Sequence, residues 1–413
     1  MKVISISTMF PSRALPVHAV FVKNRLKHVA ERCELIVISP VPYFPFAGLL
    51  SRYASRRNIP RTDVIDGLTV HYPRFLSIPA VLKPLDGVFL FLTVLVTALR
   101  LRKQFPFELI DAHLAFPDGF GAVLLGRLLG KPVTVTLRGH DVNDLPRFPV
   151  RSRQVSFTLR RAHRVIAVAN ALKDAAVTLG ADPETTERIS NGVDGAIFFP
   201  RSREESRRKL SLPLDRRVIL SVGHLVERKG FHIIVEAIDR LKAHGAPPLL
   251  VIAGAPGEEG DFRGEILAAI SQRGLEEHVR MVGAKPNAEL GDWYSAADVF
   301  CLASSKEGWA NVLLEALACG TPVVATNVWG TPEVICRPEY GILVERTAES
   351  IAGGLAAALS KHWDRESIAQ YARSQTWESV AQRVLSAFQK ALEPRRKSSA
   401  RAPAAVAAPP KAP

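Results

Sequence analysis

The sequence predicts an α/β protein built from two doubly wound parallel-sheet domains that face each other across a cleft. Three observations lead there. Short apolar, β-prone runs alternate with longer amphipathic stretches along the chain, the pattern of strand–helix–strand units. The alternation begins afresh at Val218, halfway along. Polar residues gather just after the apolar runs, and the carboxyl ends of parallel strands are where such sheets bind ligands. At 413 residues the chain is long enough for two cores.

Taken in order, Lys2–Ser7 reads as a first strand and runs into the loop Met9–Pro16. Phe21–Ala30 is an amphipathic helix and Glu34–Ser39 a second strand, a Rossmann-like opening without G-x-G-x-x-G. Residues 40–87, rich in Pro, Arg and aromatics, read as an irregular insert with a short hairpin at Asp66-Gly67. Val88–Arg102 is a strongly apolar helix, either a core helix or one partly exposed to dock on a membrane. Strands are predicted to end at His113, at Leu137 before Arg138-Gly139-His140-Asp141, and at Val168. The polar run Arg201–Lys209 reads as the domain boundary. In the second half, strand Val218–Val222 leads through Gly223–Gly230 into helix Phe231–Ala243, and strands follow at Leu249–Ala253, Val279–Gly283 and Val299–Ala303. Residues 366–392 read as one amphipathic helix. The expected division is therefore a first Rossmann-like domain at 1–195 and a second at 196–373. A helix at 374–393 is expected to return to the first domain, and an Ala/Pro/Lys/Arg-rich tail at 394–413 is expected to be disordered.

The composition, 47% hydrophobic and 23% charged, is that of a soluble globular protein. The apolar run at Met1–Ser7 is too short for a signal peptide, and no uninterrupted apolar stretch reaches the ~18 residues of a membrane span. Four cysteines without C-x-x-C spacing read as reduced structural thiols, in keeping with a cytoplasmic location. The net charge of +14 is uneven. Residues 1–200 hold 26 Lys and Arg against 15 Asp and Glu, whereas residues 201–393 hold 23 against 25. A basic first half suits an acidic surface, nucleic acid or anionic lipid, although solubility alone also accounts for surface charge. The bases are not interleaved with aromatics in a groove-like motif, so no nucleic-acid partner is expected.

The most informative stretch is Ser304–Val334. Val299–Ala303 is a strand run that ends in Ser304-Ser305-Lys306-Glu307-Gly308. From Asn311 the apolar residues recur at helical spacing, Gly320 stands at a C-cap position, and Thr321–Thr326 reads as a buried strand. Glu307 precedes the helix and Glu315 lies two turns on. A helix N-terminus offers free N–H groups and a partial positive charge, so it accepts a diphosphate, and flanking carboxylates accept hydrogen bonds from hydroxyls attached to it. Acids at a helix start for stability alone are the alternative.

Four blocks, in order, make the chain resemble a family 4 glycosyltransferase of GT-B architecture from about residue 1 to 393. They are Asn191-Gly192-Val193-Asp194 with Phe199-Pro200, Gly223–Gly230, Val282-Gly283 through Tyr294–Val299, and Glu307-Gly308-Trp309-Ala310-Asn311-Val312-Leu313-Leu314-Glu315 with Ala318–Val324. The flavour is that of bacterial surface-polysaccharide transferases of the teichuronic-acid type. The resemblance implies retention of anomeric configuration and a UDP- or GDP-linked sugar as donor. It implies no metal, in keeping with the lack of a D-x-D, and a lipid-linked or oligosaccharide acceptor at an anionic membrane surface. It assigns sugar hydroxyls to Glu307, ribose to Glu315, the diphosphate to the amides of Gly308, Trp309, Ala310, Asn311 and Val312, and the leaving charge to Lys229.

Three positions depart from the family pattern. His224 replaces an Arg in the phosphate loop, with Arg228 beside Lys229 as compensation. Arg138 stands where a His precedes Gly; it is expected to face the leaving phosphate or donor sugar and cannot act as a base. Ala19, before Phe21, stands in a loop that usually carries Gly. His113 and His140 are expected on the acceptor side with Ala19 and Phe21, although His113 also reads as a hydrogen-bonded core histidine. Asp118 and Asp141 read as loop caps rather than catalysts. Trp329 stands where the family often has Gly and either stacks on the base or packs. A sugar-nucleotide 2-epimerase of the same architecture is the second enzyme class, distinguished by turnover of donor without acceptor.

Overall fold

The computed structural model describes residues 1–16, 18–44, 55–78, 82–242, 247–257 and 259–394. The expected disordered tail, from 395 on, lies outside them. The first domain contains β1 (Lys2–Ile6), β2 (Glu34–Ile38), β3 (Val41–Tyr43), β4 (Thr62–Ile65), β5 (Leu68–His71), β6 (Arg74–Leu76), β7 (Leu109–His113), β8 (Val133–Leu137), β9 (Arg164–Ala167) and β10 (Thr186–Arg188). The second contains β11 (Val218–Val222), β12 (Leu249–Ala253), β13 (Val279–Gly283), β14 (Val299–Leu302), β15 (Val323–Thr326) and β16 (Gly341–Val344). The first sheet has the order β10-β9-β8-β7-β1-β2-β5-β4, parallel apart from the antiparallel pair β4 and β5. The second sheet, all parallel, has the order β13-β12-β11-β14-β15-β16, the doubly wound order in which the chain reverses between its first and fourth strands. The reversal in the first sheet falls between β1 and β7. These central strands are buried on both faces, which explains why they read as continuous apolar runs.

Local chemistry accounts for the elements. The Asp66-Gly67 hairpin forms with both residues at positive φ, 49° and 83°, the twist that a two-residue loop requires. Gly320 caps the Asn311–Ala318 helix at φ 74°. Thr376 caps the Trp377–Leu392 helix by accepting from the Ser379 amide.

Three expectations need correction. The insert at 40–87 is not wholly irregular: β5 pairs in parallel with β2 and extends the main sheet, because Leu68 and Val70 alternate inward to its core. Arg201–Lys209, read as the domain boundary, is not unstructured there. Arg203–Lys209 is helical, and Arg207 is buried with its guanidinium 2.6 Å from Asp298, so a polar composition hides a packed element. The single helix at 366–392 is two, Arg365–Arg373 and Trp377–Leu392. Between them the chain crosses domains, with the Val193 amide bonded to Gln375 O at 2.9 Å.

The Trp377–Leu392 helix packs on the first helix, Val20–Ala30. Val380, Val384 and Phe388 join Val3, Val22 and Leu26 in one apolar cluster. The segment Lys83–Arg102 is long and apolar enough to cross a membrane by length and composition. Here its Leu90, Val94 and Ala98 are buried, and it packs against the Phe120–Leu129 helix.

Phe388→Ala is expected to lower stability by about 3–5 kcal/mol. The loss should appear as earlier unfolding of the first domain in hydrogen exchange, although the residue follows the second domain in sequence.

Candidate active site

The loop after β8 in the first domain meets the loop after β14 in the second, at the reversal of the second sheet. The second domain's loops at this reversal follow β11 and β14, and they are clamped together. Gly230, at φ 70°, sits so close to the β14 end that a Cβ would lie 2.3 Å from Ala303 O. The Ser305 amide donates to Arg228 O at 2.9 Å, and Arg346 bridges Ala303 O and Glu227 O. The clamp brings Lys229 Nζ to 2.6 Å from Glu307 Oε1, which also accepts from Ser304 Oγ at 2.6 Å. The Lys229 stem runs over Gly223, where a Cβ would be 3.5 Å from Cδ and Cε. Glu307 is buried, and burial by itself drives its carboxyl up. Lys229 and Arg228, with the hydrogen bonds from Lys229 and Ser304, outweigh this and hold it below its ordinary value, so it is a carboxylate at neutral pH.

Glu315 has a different environment. It stands on the second turn of the Asn311–Ala318 helix and accepts from the Tyr294 hydroxyl at 2.8 Å. Burial raises its carboxyl to about 7, opposed only by that bond. The backbone N–H groups of Gly308, Trp309, Ala310 and Val312 have no acceptor among the described residues, whereas that of Asn311 donates to Trp309 O at 3.1 Å. A row of open amides ending in a helix N-terminus, flanked by one ionised and one neutral-leaning carboxyl, suits an anion that carries hydroxyls.

The two domains touch at this loop. A Cβ on Gly308 would lie 2.0 Å from Arg138 O, and one on Gly330 would lie 2.3 Å from Gly308 O, so both positions need the missing side chain. Asn191 Nδ2 donates to Asn311 Oδ1 at 3.0 Å, Lys306 pairs with Asp144, and Glu333 binds both Arg188 and the Ala171 amide.

The first-domain expectations fare unevenly. Arg138 does not present a free fork to the cleft. It donates to Asn191 Oδ1 at 2.9 Å and to His113 Nδ1 at 2.7 Å, and its guanidinium lies 5.3 Å from the Phe21 ring. Of the two readings of His113 the structure matches the core histidine rather than an open position on the acceptor side: it is fully buried, with Nε2 3.0 Å from Asp111 Oδ2. Because Nδ1 accepts from Arg138, the ring proton is on Nε2. Burial lowers His113 to about 4, so it is neutral. Asp111 accepts in turn from Ser5 and Thr134, and a polar relay thus runs from Asp111 through His113, Arg138 and Asn191 to Asn311. Arg228, expected to compensate for His224, is held by internal partners. Its fork is bidentate on Glu259, at 2.7–3.1 Å, and its third contact is Lys306 O.

His224 is exposed at the loop after β11, against Gly257, and His140 is exposed on the rim, 3.2 Å from Asp144. Trp309 is buried with Arg188 5.4 Å from its ring, so it packs at the hinge. Asp141 accepts from the Ala115, Arg138 and Gly139 amides, and Asp118 from Thr8: both are caps. Ala19 and Trp329 adopt positive φ, 47° and 44°, which explains why Gly is usual there; Trp329 is exposed beside Gly330 rather than packed. Residues that sequence reasoning left without a role are Ser304, Tyr294 and Asn191. Asn191 and Tyr294 lie inside quoted motif blocks and Ser304 just before one, but only contact distances identify their partners. Two cavities, of about 490 and 430 Å³, open at the amino ends of β12 and β13 and of β8, away from these groups.

Two consequences can be measured. The folded Glu315 carboxyl titrates near 7 and the unfolded one near its ordinary value of 4.5, so the fold loses stability as pH rises between them. Glu315→Gln is expected to stabilise the ligand-free protein at pH 8 by roughly 1–3 kcal/mol and to have little effect at pH 4. Lys229→Ala is expected to cost about 3–5 kcal/mol by leaving Glu307 buried and unpaired, and Glu307→Gln in that background should recover part of the loss in denaturant titrations.

Comparison with known proteins agrees with this architecture. Residues 19–196 match Glycosyltransferase Family 4, and residues 202–375 match Glycosyl transferases group 1. A Bacillus subtilis protein assigned to teichuronic acid biosynthesis, TuaC, is 26% identical over 91% of this chain and 90% of its own. A D-inositol 3-phosphate glycosyltransferase of Catenulispora acidiphila is 29% identical over 84% and 86%. Among solved structures, sucrose-phosphate synthase from Thermosynechococcus elongatus superposes with a TM-score of 0.75 at 18% identity, covering 94% of this chain and 99% of that one. The Anabaena protein HepE in complex with UDP-glucose gives 0.70 at 20% identity, covering 94% and 100%. Reversed sheets, clamped loops and family matches over both halves together identify the chain as a member of the glycosyltransferases, family 4 in its first half and group 1 in its second, with the GT-B fold.

Proposed function

We propose that the protein transfers a hexose from a UDP- or GDP-linked sugar to a lipid-linked saccharide acceptor, with retention of configuration and without a metal. The product would be a cell-surface polysaccharide or glycoconjugate made at the inner face of the cytoplasmic membrane. The observation that carries this reading is the Lys229–Glu307 pair beside open amides and Glu315, all on loops at the reversal of the second sheet. The TuaC likeness and the UDP-glucose in the HepE complex support the class of product and donor.

In this reading the diphosphate lies along Gly308–Val312, and Lys229 turns from Glu307 towards the leaving phosphate. Glu307 is thereby released to accept from sugar hydroxyls, and Glu315 accepts from the ribose. The acceptor oxygen forms its bond to the anomeric carbon on the face from which the phosphate departs. The carbon–oxygen bond to phosphate breaks with its electron pair staying on the phosphate, and that oxygen takes the acceptor proton. Negative charge grows on the departing group, and a fixed ammonium in a water-poor site contributes about 3–4 kcal/mol there. Arg138 acts through Asn191 to set the Asn311 end of the loop, a positioning role.

The test is a thermal-shift panel of UDP-, GDP- and ADP-sugars on the parent and on Glu315→Ala. One donor is expected to stabilise only the parent, and that donor should then label a lipid-linked acceptor at a rate at least 100-fold lower in Lys229→Ala. No shift with any donor, or turnover of donor alone with inversion at C2 of the sugar, would overturn the reading. Labelling of a free polyol phosphate in place of the lipid-linked acceptor would overturn its acceptor half.

A further inference from the structure

The Asp86–Arg102 helix uses only half of its apolar surface. One face, Leu90, Val94 and Ala98, is buried in the domain. On the opposite face Val88, Leu92, Val96 and Leu99 are 36–50% exposed, and these four fall within an arc of about 80° over about 16 Å of helix. Leu85 extends the stripe at its start. Close by in the fold, Gln154 donates to Pro84 O, and the helix that carries Gln154 begins with exposed Phe148 and Val150. No charged residue lies between Val88 and Leu99, and the stripe ends in exposed Arg100, Arg102 and Lys103. At the other end stand exposed Arg147, and Arg151 over the Phe148 ring. The nearby acid, Asp86, is buried and paired with Lys83.

We propose that this face docks on an anionic phospholipid bilayer, with the stripe immersed at the level of the headgroups and the two basic ends against lipid phosphates. An apolar strip bounded by cations at both ends complements a membrane whose core is apolar and whose surface is negative. A second copy of this chain is a poorer fit, since either end of the stripe would meet like charge. A spanning role is opposed by the face already packed in the domain. The geometry also orients the cleft. The helix runs back against the parallel strands between β6 and β7, so its Asp86 end and Phe148 lie on the side of the strands' carboxyl ends, where the candidate site opens. A bilayer on this face therefore meets the protein next to the cleft mouth. The docking rests on the membrane-face setting proposed above, and because lipid binding is read without donor or acceptor, its failure and that of the proposed reaction are distinguishable.

The experiment is co-sedimentation of the full chain with vesicles of phosphatidylcholine alone or with 30% phosphatidylglycerol, together with sedimentation velocity without lipid. The parent is expected to bind the anionic vesicles and to be released by salt. Leu92→Glu with Val96→Glu should lower the partition at least tenfold while retaining the parent's melting temperature within a few degrees. Arg100→Glu, Arg102→Glu and Lys103→Glu together should abolish the preference for anionic over neutral vesicles. The proposal is overturned if the parent ignores anionic vesicles, if the Leu92/Val96 variant binds as the parent does, or if the parent is a dimer that this variant splits.

Discussion

Much of the second domain is arranged around one ammonium held 2.6 Å from one buried carboxylate. Neither charge is tolerable there without the other, because desolvation of an isolated ion costs several kcal/mol. The loops that deliver them must therefore be held rigidly. The absent side chain of Gly230 lets one loop press onto the other, that of Gly223 makes room for the lysine stem, and Arg346 ties the two backbones. Arg228, which in sequence looks like a second phosphate ligand, belongs to the same scaffold, since Glu259 and Lys306 O take its fork. The pair is also the natural point of exchange. In the proposed reaction a diphosphate would compete with Glu307 for Lys229, and the freed carboxylate would then be available to hydroxyls.

The second organising contact joins the domains. Gly308 lies against the Arg138 carbonyl with no room for a methyl group, so this loop and the end of β8 behave as one surface. A polar relay reinforces it, from buried Asp111 through neutral His113 to Arg138, Asn191 and Asn311. Arg138 and Arg25 both reach Asn191 Oδ1. Burial brings Arg25 down to about 10, and burial together with the charge of Arg25 holds Arg138 well below its ordinary value.

What was legible in the sequence follows from how local its cause is. Strands buried on both faces have to be apolar, and helix starts and the Asp66-Gly67 turn depend on neighbours a few residues away, so the two-sheet architecture could be read directly. Glu307, Glu315 and Lys229 could be singled out because a motif fixes their spacing along the chain. Arg207 could not, because its burial depends on a partner, Asp298, far along the chain; for His113 the buried, hydrogen-bonded reading was open, since its partner Asp111 lies two residues before it on the same face of β7. The same limit applied to β5, whose place in the sheet was decided by packing on β2 rather than by its own irregular surroundings.

By itself, then, the sequence determined the fold class, the order of the motif blocks and the chemical types available at the second domain's loops, since each is a property of short spacing. Only the tertiary structure decided which charges are free. It gave Arg228 and Arg138 to internal partners, left Glu315 titrating near neutrality against a single tyrosine, and exposed one face of an apolar helix while burying the other. The physical reason is common to all of these. Desolvation and pairing energies depend on which groups meet in space, and chain distance carries no information about that once the two sheets have closed on each other.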